Sequence, residues 1–132
     1  MRYLTHLTAV GLAAALVVAG ASGCFSEHVP TESSGIDIQA VCSAGTVPAN
    51  MVVIRNFSFN PSTVTVQSGE SVTWVNCETT AGLGHTSTSD NGVWASGLIV
   101  PFVSFSRTFA QSGSFPYHCE PHPSMTATVV VQ

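Results

Sequence analysis

Lysine is absent from this chain, and its three basic residues, Arg2, Arg55 and Arg107, face seven acidic ones. With so few cations, and none adjacent to another, no basic patch exists to neutralise a run of phosphates, which argues against nucleic acid as a partner. Gly-rich phosphate loops, Gly-x-Ser-x-Gly elbows and His-Glu-x-x-His pairs are also missing, so the common nucleotide-binding and hydrolase readings have no residues to rest on. Charged residues make up only 8% of the chain and apolar ones 45%, the reverse of a disordered composition. At 132 residues there is room for one domain and its core, and a multidomain enzyme is excluded.

The first segment reads as targeting sequence. Arg2 precedes an uncharged Ala/Val/Leu stretch from Leu7 to Ala21, the charge order of a secretory signal. Its strongly apolar part is shorter than the ~18–20 residues that span a bilayer, which disfavours an uncleaved anchor. Ala19-Gly20-Ala21 offers a small-x-small cleavage site. Ala21-Ser22-Gly23-Cys24 resembles a bacterial lipobox and is preferred, making 1–23 the signal and Cys24 the lipidated residue of an exported, membrane-anchored protein. Residues 24–47 are rich in Ser, Glu, Thr, Pro and Gly, without a sustained period, and are expected to be a flexible tether. His6 and His28 fall in these segments and are given no role.

Residues 48–132 carry an all-β pattern: short runs rich in Val, Phe and Thr, separated by turn residues, with no helical period. Strands are expected over Met51–Phe59, Thr63–Val66, Ser71–Asn76, Thr86–Ser89, Ser104–Phe109, Ser114–Cys119 and Met125–Val131, packed as a mostly antiparallel β-sandwich. Asn56-Phe57-Ser58 matches a glycosylation pattern but falls within the first expected strand and is given no weight. Arg107 shares parity with Phe105 and Phe109, which suggests that it lies near the sheet's end. In the last pair, Phe115, Tyr117 and Cys119 alternate onto the face shared by Met125, Ala127, Val129 and Val131, while His118 points outward.

Chemistry concentrates in Cys119-Glu120-Pro121-His122-Pro123-Ser124-Met125, where a thiol, an imidazole and a thioether recur at three-residue intervals. A second loop imidazole, His85, follows Ala81-Gly82-Leu83-Gly84. One thiolate, two imidazoles and one weak thioether are the donor set of a mononuclear electron-transfer copper site: soft sulfur favours Cu(I), and imidazole suits Cu(II). A structural zinc site would call for four strong ligands instead.

These residues, together with Gly69-Glu70-Ser71-Val72-Thr73-Trp74-Val75-Asn76 and Gly113-Ser114-Phe115-Pro116-Tyr117, resemble the cupredoxins of the plastocyanin and amicyanin group over about Ala49 to Gln132. The Cys-x-x-His-x-x-Met spacing is the amicyanin-like one. The resemblance implies a Greek-key cupredoxin sandwich and a single type 1 (blue) copper ion, with His85, Cys119 and His122 as equatorial ligands and Met125 as the long axial one. It also implies a single-electron carrier of the cell envelope rather than an enzyme, the alternative being a copper-delivery module for an envelope oxidase. Five histidines are too few for an added trinuclear cluster, and a lone loop cysteine cannot build a binuclear purple centre. One departure from the family is Thr86, where an asparagine usually follows the first ligand histidine.

With Cys24 assigned to lipid and Cys119 to copper, Cys42 and Cys77 remain, and in an exported protein a disulfide between them is the default. The resemblance also implies that electrons pass at the exposed edge of His122, with Leu83, Pro121 and Pro123 forming an apolar docking surface around it. Removing residues 1–23 leaves two arginines against seven acids, a net charge of −5 that favours basic redox partners.

Overall fold

β-Branched residues alternating with polar ones, as in Thr63-Val64-Thr65-Val66, present one apolar face and pair readily into sheets. The computed structural model describes residues 35–132, in which eight strands and one short helix are built largely from such segments. In chain order they are α1 (Ile38–Ser43), β1 (Met51–Arg55), β2 (Ser58–Asn60), β3 (Thr63–Val66), β4 (Ser71–Asn76), β5 (Thr88–Ser89), β6 (Ser104–Thr108), β7 (Gly113–Cys119) and β8 (His122–Val131). The signal, Cys24, His6 and His28 lie outside the described residues.

Two four-stranded sheets face each other, ordered β2-β1-β4-β6 and β3-β8-β7-β5. Most pairings are antiparallel, but β1 runs parallel to β4 and β3 parallel to β8, so both sheets are mixed. Between them lie Val52, Ile54, Val64, Val66, Val72, Trp74, Tyr117, Cys119, Met125, Ala127, Val129 and Val131, the inward residues of alternating strands. Trp74 and Tyr117 are fully buried and meet edge to face, and each large apolar side chain removed from water contributes roughly 1.5–3 kcal/mol.

Two local expectations change. Met51–Phe59 is not one strand: Asn56 (φ 52°) and Phe57 (φ 54°) both turn left-handed and close a tight hairpin between β1 and β2. Asn56-Phe57-Ser58 therefore occupies an exposed turn rather than a strand interior.

The end of the expected tether is also structured. Asp37 caps α1 by accepting the Ala40 N–H, and Ile38, Val41, Cys42 and Val47 pack on Val53 and Val75, on the outer face of the first sheet. A disulfide joins Cys42 to Cys77. The apolar positions at 38, 41 and 42 are spaced for one helical face, a signal too short to register as a period but sufficient once a sheet face lies beneath it.

Arg107 is the penultimate residue of β6, and its guanidinium lies 5.8 Å from the Trp94 ring centre and 5.7 Å from that of Phe109. Cation–π contact and stem burial let a charged residue share a face with Phe105.

Candidate metal centre

Three loops meet at one end of the sandwich. The first leaves β4 and is held by Asn76, a fully buried side chain whose Nδ2 donates to the carbonyls of Leu83 (2.9 Å) and Ile99 (2.8 Å). Its Oδ1 accepts the Glu78 N–H at 2.9 Å, so one amide fixes both ends of the 77–84 loop. His85 then pairs with Ile99 through two backbone hydrogen bonds and is completely buried. A Cβ at Gly84 would meet the Leu98 side chain at 2.7 Å, so the loop lies directly against Leu98 there.

The second loop joins β7 to β8. His118 pairs with Thr126 and Cys119 with His122, so Pro123, Ser124 and Met125 form a bulge on β8 with no counterpart on β7. Bulges re-aim side chains. This one accompanies a buried Cys119, a half-buried His122 and a buried Met125. Residue 119 lies in the core cluster with Met125 and is the free cysteine among the described residues.

His85, Cys119 and His122 come together. Nδ1 of His85 is 3.2 Å from Nδ1 of His122, and Sγ of Cys119 is 3.7 Å from the former and 3.6 Å from the latter. Three donors converging this closely form a group able to hold a single metal ion. The donor chemistry fits copper: soft sulfur and two imidazoles, with a thioether at the same end of the sheet. Thr86, which stands in place of the family's usual asparagine, contacts the thiol through its backbone, its N–H donating to Cys119 Sγ at 3.3 Å. Its Oγ1 accepts the Glu120 N–H at 2.8 Å and ties the two ligand loops together.

Two neighbours of the site were not legible in the sequence. Phe57, at the hairpin tip, sets its ring edge-on to His122 (4.9 Å between ring centres) and to His85 (5.5 Å). Glu78, 6% exposed, places Oε1 3.3 Å from His85 Nε2 and accepts the Phe57 N–H at 3.0 Å. No motif marks either residue; the one hint is that Glu78 adjoins Cys77. Burial works to raise the Glu78 carboxyl pKa, but the backbone N–H groups of Phe57 and Asn56 and the His85 imidazole outweigh it and hold it below its ordinary value. Burial pushes the His85 pKa down and nearby His122 adds to this, against the pull of Glu78.

Leu83 is half-buried and Pro121 and Pro123 are exposed, in the loops that carry His85 and His122. His118 is directed away from the core, with Nδ1 2.5 Å from Asp90 Oδ1.

A two-sheet β-sandwich with a His-Cys-His group at one end defines a cupredoxin. The sequence profile described as copper binding proteins, plastocyanin/azurin family, matches residues 46–132, and the chain belongs to that family. It is 30% identical to amicyanin from Paracoccus versutus over 127 residues, covering 91% of each chain. To plastocyanin from Scenedesmus fuscus it is 38% identical over 87 residues, covering 56% of this chain and 86% of the relative. A solved structure of an oxidized amicyanin mutant superposes with a TM-score of 0.58 at 29% identity, covering 64% of this chain and 82% of the other. A purple cupredoxin from Nitrosopumilus maritimus shares the fold, with a TM-score of 0.57 at 22% identity.

Proposed function

We propose that this protein is a type 1 copper protein that carries single electrons in the cell envelope, with His85, Cys119 and His122 as equatorial ligands and Met125 as the axial one. The observation that carries this reading is the convergence of the two Nδ1 atoms and Sγ within 3.2–3.7 Å. Copper held there would alternate between Cu(I) and Cu(II). The chain's contribution is a nearly fixed cage: Asn76 rivets one loop, Thr86 the other, and Cys119 receives a backbone N–H that stabilises thiolate charge. Such a cage limits rearrangement when one electron arrives or leaves, which suits a carrier rather than an enzyme. Similarity to amicyanin and plastocyanin supports the same role.

His122 is the half-buried ligand and His85 the fully buried one, which supports electron passage at the His122 edge. Leu83, Pro121 and Pro123 would form the docking surface for redox proteins, and the net charge of −5 after loss of residues 1–23 favours basic ones. Export and a lipid on Cys24 complete the proposal. Among the described residues no helix is long and apolar enough to cross a membrane.

The test is an optical and paramagnetic-resonance spectrum of the copper-loaded protein together with voltammetry. An intense thiolate-to-copper band and a reversible one-electron couple are expected. Copper binding without that band and couple would overturn the carrier role in favour of copper delivery.

A further inference from the structure

Glu78 lies outside the donor set, yet its carboxylate is buried and held beside it. It is 6% exposed, its own N–H is held by Asn76 Oδ1 at 2.9 Å, and the preceding residue is disulfide-bonded to Cys42. A single oxygen, Oε1, faces both the Phe57 N–H at 3.0 Å and His85 Nε2 at 3.3 Å. A bulky residue at φ 54° is strained, and such strain persists only where the surroundings hold it. The β1–β2 pairing holds the turn, and the carboxylate accepts the N–H of its second residue.

The consequence for His85 follows from imidazole chemistry. A neutral ring carries its proton on one nitrogen and a lone pair on the other. A carboxylate only accepts, so the nitrogen facing it must carry the proton, which leaves Nδ1 bare on the side of Cys119 and His122. In the opposite tautomer a lone pair would face a buried carboxylate while an N–H pointed into the donor cluster.

Building on the copper reading, we propose that Glu78 is a positioning residue of the centre: it selects the Nε2–H tautomer of His85 and holds its Nδ1 ready as a ligand. Its charge, shielded from water, also favours the more highly charged oxidation state.

The experiment compares wild type with Glu78→Leu and Glu78→Gln. In copper-free protein, nitrogen NMR of the His85 ring should show one tautomer, Nε2–H, in wild type and a mixture in Glu78→Leu. Glu78→Gln should keep the wild-type tautomer, because the amide oxygen still accepts. With copper added, Cu(II) affinity should fall roughly 10–100-fold in Glu78→Leu, and the reduction potential should shift upward in both variants, because both lose the charge. An Nδ1–H tautomer in wild type, an unaltered tautomer in Glu78→Leu, or an unchanged potential in Glu78→Gln would overturn the proposal. If Glu78→Leu fails to fold, the potential of Glu78→Gln alone decides. Failure of the copper reading is separately visible, since wild type itself would then lack the charge-transfer band while the copper-free NMR result stands.

Discussion

The backbone N–H of Thr86 points at the Sγ of Cys119 from 3.3 Å, across 33 residues of sequence. Because the donor is backbone, the side chain at 86 is free for other work, and the threonine hydroxyl uses it to accept from Glu120. Cys119→Ser keeps an acceptor for that N–H and is nearly isosteric, so the fold should survive with a loss of no more than about 1–2 kcal/mol. The charge-transfer band should vanish, because it requires sulfur. A Cys119→Ser protein that kept the intense colour on copper loading would remove Cys119 from the site.

Met125 is 4% exposed and lies at the bulge that begins β8. Met125→Leu preserves volume and should cost less than about 1.5 kcal/mol. Copper and the visible band should be retained, while the reduction potential rises, because an apolar axial neighbour disfavours Cu(II). Voltammetry of the purified variant checks this, and a fall in potential would contradict an axial role.

The Cys42–Cys77 disulfide closes a loop with a sequence separation of 35 and clamps α1 over Val53 and Val75. Replacing both cysteines by alanine should lower stability by roughly 3–4 kcal/mol in the chain-entropy account, read as the shift of a urea midpoint. An unchanged midpoint would show that packing of Ile38, Val41 and Val47 alone holds the segment.

Copper-free protein should lose stability steadily as pH falls from 7 to 4. His85 and Glu78 both have folded pKa values below their unfolded ones, so in this window the unfolded chain binds more protons and acid favours it. The His85 contribution is complete above its unfolded value of about 6.5 and declines below it; that of Glu78 declines below about 4.3. Urea titrations at stepped pH measure the slope, and a flat or inverted profile would refute the assignment.

Cys24→Ser should move the protein from membranes to the soluble exported fraction, because lipid on that thiol is the proposed attachment. A soluble wild type would end the lipoprotein reading. A variant that stayed bound with its N-terminus intact would identify the apolar segment as a true anchor. Neither result touches the copper site.

The sequence by itself determined the strand faces and pointed to the residues proposed as donors. Alternation is a local property: once Tyr117 faces inward, Cys119 must, and the Val64/Val66 and Val129/Val131 pairs likewise meet in the core. The Cys-x-x-His-x-x-Met spacing was legible for the same reason, since three of the four proposed donors fall within seven residues. Tertiary structure decided everything that depends on distant segments meeting. Whether Met51–Phe59 continued or folded back rested on a two-residue turn whose Phe57 N–H meets Glu78, and whether residues 38–47 stayed a tether rested on an outer sheet face formed by β1 and β4. Glu78 itself has no local signature, because a carboxylate becomes a partner of His85 only when the Asn76 rivet and the β1–β2 hairpin bring its oxygen to the ring.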